Sequence, residues 1–231
     1  FPTQVLEETD RYKIVIDERG AKSKVFKDPR SIYHGGEMTG MPQWLDFPVK
    51  TREDFEAMKI RYDPQDAHRV GKPCIAHAGF SAGLEREIGN LKELEDCPVE
   101  FHVAGLWLKT REMMGLERLL VSFFQDPGLI DAIFDFWTDF IISVASRAVE
   151  YDPTHMVICE DLSYKNGPFI SPDSLRRFMT PRYKRITNVV RKRGVDLIVI
   201  DSDGNVEQVI PEFLEGGING IWPMEVRAGM D

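Results

Sequence analysis

The sequence lacks most of the short signatures by which enzyme classes are usually recognised. It has three cysteines in 231 residues, widely spaced and without a CxxC pair, which argues against a disulfide framework and against a zinc finger. It contains no GxGxxG, Walker loop, HxxxH or HExxH pattern, so the usual dinucleotide, phosphate and zinc-protease motifs are absent. Any chemistry must therefore come from side chains that are dispersed along the chain.

Positive charge and long apolar runs are also scarce. Lys and Arg number 29 against 38 Asp and Glu, a net charge of −9, whereas a nucleic-acid surface needs clustered basic charge. The basic residues between positions 176 and 193 are interpreted as the solvated face of one helix. No apolar run reaches the roughly 18 to 20 residues of a membrane span, and no signal peptide is recognisable. We expect a cytoplasmic protein without nucleic-acid or membrane partners.

Four short apolar runs predict β-strands, at residues 99–105, 154–159, 195–200 and 218–222. Runs this short and rich in Val and Ile are typical of parallel strands buried on both faces. Helix signals lie between the runs, and strand–helix alternation predicts an α/β protein with helices outside a parallel sheet. A doubly wound sheet and a (β/α)8 TIM barrel both satisfy this pattern. Acids after several successive strands favour the barrel.

Local signals mark the ends of several helices. Thr51, with Asp54 three residues later, predicts a capping box, and Asp126 before Pro127 predicts the start of a long helix. Ser171 before Pro172 predicts another helix, bent at Pro181 and continuing to about residue 193.

We expect a single barrel domain over residues 1–231. A β-hairpin is predicted at residues 11–27, and the clear βα units cover residues 99–231. Only four or five strands are visible, whereas a closed barrel needs about eight, and the chain opens on Phe1 rather than Met. The sequence therefore predicts an incomplete fragment whose flanking strands are missing.

Acidic residues follow three of the predicted strands: Glu160 and Asp161, then Asp201 and Asp203, then Glu225. Loops at the carboxyl ends of parallel strands converge on one site, so these acids are the catalytic candidates, with Glu225 as a substrate-binding one. Like charges at short range raise some pKa values, which lets one carboxyl act as a general acid. The same oxygens suit a hard cation or a cationic substrate group. The structural alternative is that they cap the next helix.

Further polar and aromatic side chains are candidates for binding a substrate at the same edge: Tyr164, Lys165, Asn166, Trp222 and His77. His102 and His155 lie within predicted strands and are interpreted as interior residues rather than ligands. The three cysteines show no ligand-like pairing with histidine and are interpreted as reduced thiols.

Two long stretches carry a family resemblance. They read CEDLSYKNGPFISPDSLRRFMTPRYKRI (159–186) and VDLIVIDSDGNVEQVIPEFLEGGINGIWPMEVRAGMD (195–231). In residues 115–231 the chain resembles the uroporphyrinogen decarboxylase superfamily. The resemblance implies a (β/α)8 barrel and an activity from a group that includes the haem-pathway decarboxylase. The group also includes corrinoid-linked methyltransferases that demethylate small methoxylated or methylated compounds.

The chain departs from both branches of that superfamily. Methyltransferases carry an HxCG turn, whose His and Cys bind zinc, where this chain has Asp201-Ser202-Asp203-Gly204. Two aspartates in place of those ligands predict a hard, oxygen-liking divalent metal at Asp201 and Asp203, or none. The Arg-rich N-terminal motif of the decarboxylase has no match before Val99. The EDLSYKNGP loop is more similar to the methyltransferase and demethylase branch.

The resemblance favours corrinoid-linked methyl transfer from a small methylated substrate, at a carboxylate-lined site, with the corrinoid carried by a partner protein. The alternative is a tetrapyrrole decarboxylase of porphyrin biosynthesis, a lyase that needs no cofactor. A third interpretation is a barrel that binds a tetrapyrrole or a corrinoid protein without chemistry. A homodimer is compatible with each of them.

Overall fold

The computed structural model describes residues 1–27, 42–66, 74–76, 85–87 and 98–230. By its contacts the chain divides into two compact units, and the single barrel domain over residues 1–231 stays a prediction. The first unit combines Phe1–Ile60 with Lys109–Ile130, and the second combines Arg61–Leu108 with Asp131–Asp231.

The first unit contains an antiparallel sheet in the order β1-β2-β3-β4. Its strands are β1 Gln4–Glu8, β2 Tyr12–Ile16, β3 Lys22–Phe26 and β4 Gln43–Asp46. The predicted hairpin at residues 11–27 is confirmed as the β2–β3 pair, with Tyr12 opposite Phe26. The turn is held by Asp17, whose Oδ1 accepts the Arg19 and Ala21 N–H groups.

Two helices lie within this unit, and the first begins as the sequence predicted. Helix α1 (Arg52–Lys59) has the capping box, in which the Thr51 side chain accepts the Asp54 N–H and the Asp54 carboxylate accepts the Thr51 N–H. Helix α3 (Leu116–Gln125) follows Gly115. Gly115 has a φ of +77°, and a Cβ there would lie 2.5 Å from the Phe47 ring, so only glycine fits.

The second unit is built on a parallel sheet in the order β12-β11-β8-β7. Its strands are β7 Glu100–Ala104, β8 His155–Cys159, β11 Leu197–Asp201 and β12 Gly220–Trp222. The four predicted strands are therefore confirmed as adjacent and parallel. Its described residues also contain two small antiparallel pairs: β5 Cys74–Ala76 with β6 Glu85–Glu87, and β9 Ser163–Tyr164 with β10 Gly167–Pro168.

The two faces of the parallel sheet differ in chemistry because side chains alternate along each strand. One face carries apolar side chains, among them Met156, Ile158, Ile198 and Ile200, which are fully buried. The other face carries Glu100, His102, His155, Cys159 and Asp201, and it is more open to solvent. Of the candidates, Asp201 lies on the polar face, at its carboxyl edge.

The remaining helices are α2 Leu106–Met114, α4 Pro127–Ala148, α5 Pro172–Phe178, α6 Thr180–Arg191 and α7 Ile210–Glu215. The predicted bent helix after Ser171 is two helices, since α5 ends at Phe178 and α6 starts beside Pro181. Ser171 caps α5 as predicted, accepting the Ser174 N–H. None of the described helices is long and apolar enough to cross a membrane.

Most basic residues of α5 and α6 are exposed, as the sequence predicted, and Arg182 is the exception. Arg182 is only 8% exposed, and its guanidinium donates to the carboxylates of Asp131 and Asp135 on α4. Arg185 on α6 forms an ion pair with Asp139, which also lies on α4. These arginines join neighbouring helices, so they are not a free basic surface.

Candidate functional site

Strand register brings four residues level at the carboxyl edge of the parallel sheet. Cys159 on β8 pairs with Ala104 on β7 and with Asp201 on β11, and Asp201 pairs with Trp222 on β12. In-register residues of parallel strands point to the same face, about 4.8 Å apart. The side chains of Cys159 and Asp201 therefore meet on the polar face.

His102 joins them from two residues earlier on β7. One potential ligand atom each of His102, Cys159 and Asp201 lies within 4.8 Å of the other two. His102 is exposed, and Cys159 and Asp201 are half-buried, so a small solute can reach all three. His102 is therefore not the interior residue that the sequence suggested. Cys159 does have a histidine neighbour, contrary to the prediction for the cysteines.

A sequence signal for this group existed in the alternation of the strands. In EFHVA the polar residues Glu100 and His102 alternate with the apolar Phe101 and Val103. Such alternation places the polar pair on one face. What the sequence could not supply was the register that sets His102 beside Cys159, 57 residues later.

Glu100 holds the two histidines of the polar face. Its Oε1 lies 2.9 Å from Nδ1 of His102, and its Oε2 lies 3.3 Å from Nε2 of His155. A carboxylate on one ring nitrogen fixes the ring orientation and directs the other nitrogen outward as a donor atom. Nε2 of His102 is therefore the nitrogen available to a ligand.

Asp203 lies two residues beyond β11, in the turn after the strand. Partial desolvation and then the charges of Asp161, Glu225 and Asp201 raise the pKa of Asp203 above its ordinary value. The three neighbouring carboxylates are thus close enough to act on Asp203 and to favour its protonated form.

The turn that carries Asp203 is tightly held. Glu225 Oε2 accepts the Gly204 N–H at 2.7 Å, and the Asn205 N–H donates to the Tyr164 carbonyl. Gly204 has a φ of +84°, and a Cβ on it would lie 2.8 Å from the backbone of Tyr164. Glu225, predicted to bind substrate, thus positions the Asp203 turn, and the β9–β10 hairpin packs against it.

Asp161 has an unusual backbone conformation, with a φ of +47° in the left-handed region. Asp and Asn enter this region more readily than most residues. Its N–H lies 3.4 Å from the Asp201 carbonyl, and its charge acts on Asp203 and on Cys159. The turn at Asp161 separates it from its neighbour Glu160, which points elsewhere.

Glu160 does not join the open carboxylates. It is fully buried, and its two oxygens accept the N–H groups of Leu106, Trp107 and Leu108 at 2.8 to 3.2 Å. The Tyr183 hydroxyl donates to Oε1 at 2.5 Å. The carboxylate therefore caps the N-terminus of α2, so its placement matches the structural alternative and is a correction to the shared cavity expected from the sequence.

The reason for this cap can be read at the start of α2. The helix begins directly after Gly105, with neither a capping side chain before it nor an acid in its first turn. Its first N–H groups need an acceptor. A Cβ on Gly105 would lie 2.2 Å from the Glu160 carboxyl carbon, so glycine makes the approach possible. Burial raises the pKa of Glu160 to about 7, against the lowering effect of its four donors.

The thiol of Cys159 has a strongly perturbed acidity. Burial, followed by the charges of Asp161, Asp201 and Glu160 and a hydrogen bond to Asp201, raises the pKa of Cys159 to about 12. A thiol in this state is a poor nucleophile at neutral pH. The arrangement therefore does not favour covalent catalysis by Cys159.

The other predicted binding residues are dispersed. Tyr164 is 65% exposed on β9, and Lys165 and Asn166 form the exposed tip of the β9–β10 hairpin. Trp222 is 37% exposed and contacts the His155 ring edge-on, with centroids 6.1 Å apart. His77 lies outside the described residues, as does GFSAG (79–83), a run with GxSxG spacing.

A separate cleft of about 480 Å³ lies within the first unit. It is lined by Trp44, Phe47, Met114, Arg118 and Val121 among others. It contains none of the predicted site residues, and its lining offers no group of converging acids, so we place the candidate site at the carboxyl edge of the parallel sheet.

The donor set at that edge can hold a divalent metal. His102, Cys159 and Asp201 supply an imidazole, a thiol and a carboxylate, which are the ligand types that bind zinc. Asp203, the partner of Asp201 in the metal site expected from the sequence, is not part of this group. The acids Asp161, Asp203 and Glu225 remain beside it to handle protons or bind a substrate.

Comparison with known proteins shows a similarity of fold and a family. The fold is similar to that of a methyltransferase from Methanosarcina mazei, with a TM-score of 0.50 and 15% sequence identity. The match covers 84% of this chain and 52% of the other, so the chain spans about half the length of that methyltransferase. No curated protein sequence matches. The model of the uroporphyrinogen decarboxylase (URO-D) family matches residues 38–223, more than half of the chain, and the chain therefore belongs to that family.

Proposed function

We propose that the chain is a methyl-transfer enzyme of the URO-D family that removes a methyl group from a small methylated compound. The observation that carries the proposal is the convergence of Asp161, Asp203 and Glu225 around the end of β11, beside Asp201 and Cys159. Methyl-ether cleavage needs a proton for the departing oxygen, and this group of acids provides one.

The parallel sheet of the second unit is, in this proposal, part of a (β/α)8 barrel. Four adjacent parallel strands with helices between them are consistent with such a barrel, and so is the likeness to the methyltransferase fold. In barrels of this type the active site lies at the carboxyl ends of the strands. The candidate acids lie at that edge.

The proposed role of Asp203 is to hold a proton near the substrate oxygen. The C–O bond of the methyl ether breaks, its electron pair stays on oxygen, and the Asp203 proton neutralises that oxygen. Partial desolvation and neighbouring negative charge favour the protonated carboxyl that this role requires. Asp161 and Glu225 keep the Asp203 turn acidic and in place.

A corrinoid on a partner protein would supply the nucleophile that accepts the methyl group. The carboxyl edge suits such a visitor because Tyr164, Asp203, Trp222 and Met224 are all exposed there. This chain would bind the substrate, orient its methyl group toward that open edge and deliver the proton.

The test is a methyl-transfer assay with free cob(I)alamin as the acceptor and a panel of methoxylated and methylated small compounds. We expect methylcobalamin to form with at least one compound, which absorbance spectroscopy detects. Asp203→Asn should lower the rate by about 100-fold or more, the usual effect of losing a general acid. Asp152→Asn, the same change before the amino end of β8, should leave the rate unchanged.

A parallel assay addresses tetrapyrrole decarboxylation. The protein is incubated with uroporphyrinogen III, and the products are oxidised and separated by chromatography. Loss of substrate carboxyl groups without methyl transfer in the first assay would overturn the proposal in favour of the decarboxylase reading.

A further inference from the structure

His102, Cys159 and Asp201 bring three potential metal ligands together on the polar face of the parallel sheet. Each residue comes from a different strand of the same parallel sheet, and β8 with Cys159 lies between the other two strands. Ligands on paired strands are held by backbone register, which is more rigid than a loop. The three donor atoms are all within 4.8 Å of one another.

These separations are close to those of a filled metal site. With bonds of about 2.0 to 2.3 Å to N, O and S, tetrahedral ligands lie roughly 3.3 to 3.8 Å apart. Rotations that move a donor atom by about 1 Å would close the group around an ion. Strand register already sets Cys159 directly beside Asp201, so two of the three ligands come from paired positions.

Glu100 adds the outer contact that metal-binding histidines usually have. Its carboxylate lies 2.9 Å from Nδ1 of His102, leaving Nε2 directed away from it. Carboxylate–histidine pairs of this kind fix the ring and increase its basicity toward a metal. Glu100 is therefore a positioning residue and not a ligand.

We propose that His102, Cys159 and Asp201 form a three-ligand site for a divalent metal of borderline softness, such as Zn²⁺ or Co²⁺. Three protein ligands leave a fourth position for water or a substrate atom, as in catalytic rather than structural zinc sites. The thiolate and the imidazole exclude Mg²⁺ and Ca²⁺, which prefer oxygen ligands. The site uses Asp201 without Asp203 and differs from the hard-metal site predicted from the sequence. It stands independently of the methyl-transfer proposal.

The test is direct binding of Co²⁺ to the metal-free protein, prepared with a chelator and then dialysed. We expect one equivalent of Co²⁺, intense visible bands typical of tetrahedral geometry and a near-ultraviolet thiolate-to-cobalt band. Zn²⁺ should displace Co²⁺, and a large excess of Mg²⁺ should not.

Single substitutions test whether Co²⁺ binds through these three residues or elsewhere on the protein. Cys159→Ser should abolish the near-ultraviolet band, and His102→Gln and Asp201→Asn should each weaken binding by at least about 100-fold. Glu100→Gln should weaken binding by about 10- to 100-fold, as loss of an outer contact does. The matched controls are Asp203→Asn and His155→Gln, which should bind Co²⁺ like the wild type.

Three results would overturn the proposal. They are the absence of stoichiometric Co²⁺ binding, a thiolate band that persists in Cys159→Ser, and binding that is lost in Asp203→Asn and retained in His102→Gln. Circular dichroism of each metal-free variant checks the fold. His102 is exposed, so His102→Gln keeps the test decisive if Cys159→Ser fails to fold.

Discussion

The ends of β8 and β11 carry the same sequence pattern, an apolar strand followed by acids, and the structure uses them in opposite ways. After β8, Glu160 is fully buried and accepts four hydrogen bonds. After β11, Asp203 is exposed among other carboxyl groups. The difference shows that an acid at a strand end becomes a structural cap where an uncapped helix start lies within reach.

An uncapped helix start lies close to the end of β8. After β11, a local side chain caps the next turn instead. Helix α2 lacks a local cap and recruits Glu160 from 54 residues away. After β11 the chain turns through Gly204, and Asn205 Oδ1 accepts the Glu207 N–H locally. Asp201 and Asp203 are thereby left for other roles.

The largest expected effect is the loss of the Glu160 cap. Glu160→Ala leaves the N–H groups of Leu106, Trp107 and Leu108 and the Tyr183 hydroxyl without their acceptor. Buried groups left unsatisfied cost about 1 to 3 kcal/mol each, so we expect the free energy of unfolding to fall by at least about 3 kcal/mol. Urea denaturation measures it.

The matched control is Glu150→Ala, the same change at an exposed position, with an expected effect within about 0.5 kcal/mol. If the free energy of unfolding of Glu160→Ala stays within about 1 kcal/mol of the wild-type value, Glu160 is not a structural cap.

The pH dependence of stability is the second effect. The pKa of Glu160 rises from 4.5 to about 7 on folding, so its stabilising contribution is complete below pH 4.5 and is lost as the pH rises to about 7. The shift corresponds to about 3 kcal/mol. Relative to Glu160→Gln, which does not titrate, the metal-free wild type should lose about this much stability between pH 4.5 and 7.

Urea denaturation of both proteins across that pH range, with chelator present, gives the difference. If the wild type instead gains stability relative to Glu160→Gln as the pH rises, the four hydrogen-bond donors outweigh burial and keep Glu160 ionised.

A smaller effect is expected at a helix cap supplied from within the same segment. Ser171→Ala removes the side-chain acceptor of the Ser174 N–H at the start of α5, and such losses cost about 1 kcal/mol. Ser171→Asp preserves the acceptor and should retain wild-type stability in the same urea assay. An effect equal to that of Glu160→Ala would remove the distinction between a local and a long-range cap.

The smallest effect on stability is expected at the β11 end. Asp203 is exposed and surrounded by like charges, so Asp203→Asn should change the free energy of unfolding by no more than about 0.5 kcal/mol. The same variant is the one expected to lose methyl-transfer activity. A stability loss comparable to that of Glu160→Ala would make Asp203 a second structural acid.

Local signals predicted much of the fold. The hairpin at residues 11–27, the caps at Thr51 and Ser171 and the positions of the four parallel strands depend on residues close together in sequence, and each is present. The break between α5 and α6 was predicted only as a bend, because Pro181 marks a discontinuity without fixing its extent.

The composition of the candidate site was less predictable. The sequence correctly indicated that acids gather after β11, but it grouped Glu160 with them and omitted His102 and Cys159. Consecutive residues after a strand point in different directions, and the left-handed conformation of Asp161 separates it from Glu160. Neither fact is visible in a list of acidic positions.

By itself the sequence determined the hairpin, the four parallel strands and several helix starts, because alternation, caps and turn residues act over a few positions. The tertiary structure alone decided that Glu160 would cap α2 and that Cys159 would meet His102 and Asp201. Those contacts join residues 42 to 57 positions apart, and the register of neighbouring parallel strands sets them. A shift of one residue in that register would turn the same side chains to the opposite face of the sheet.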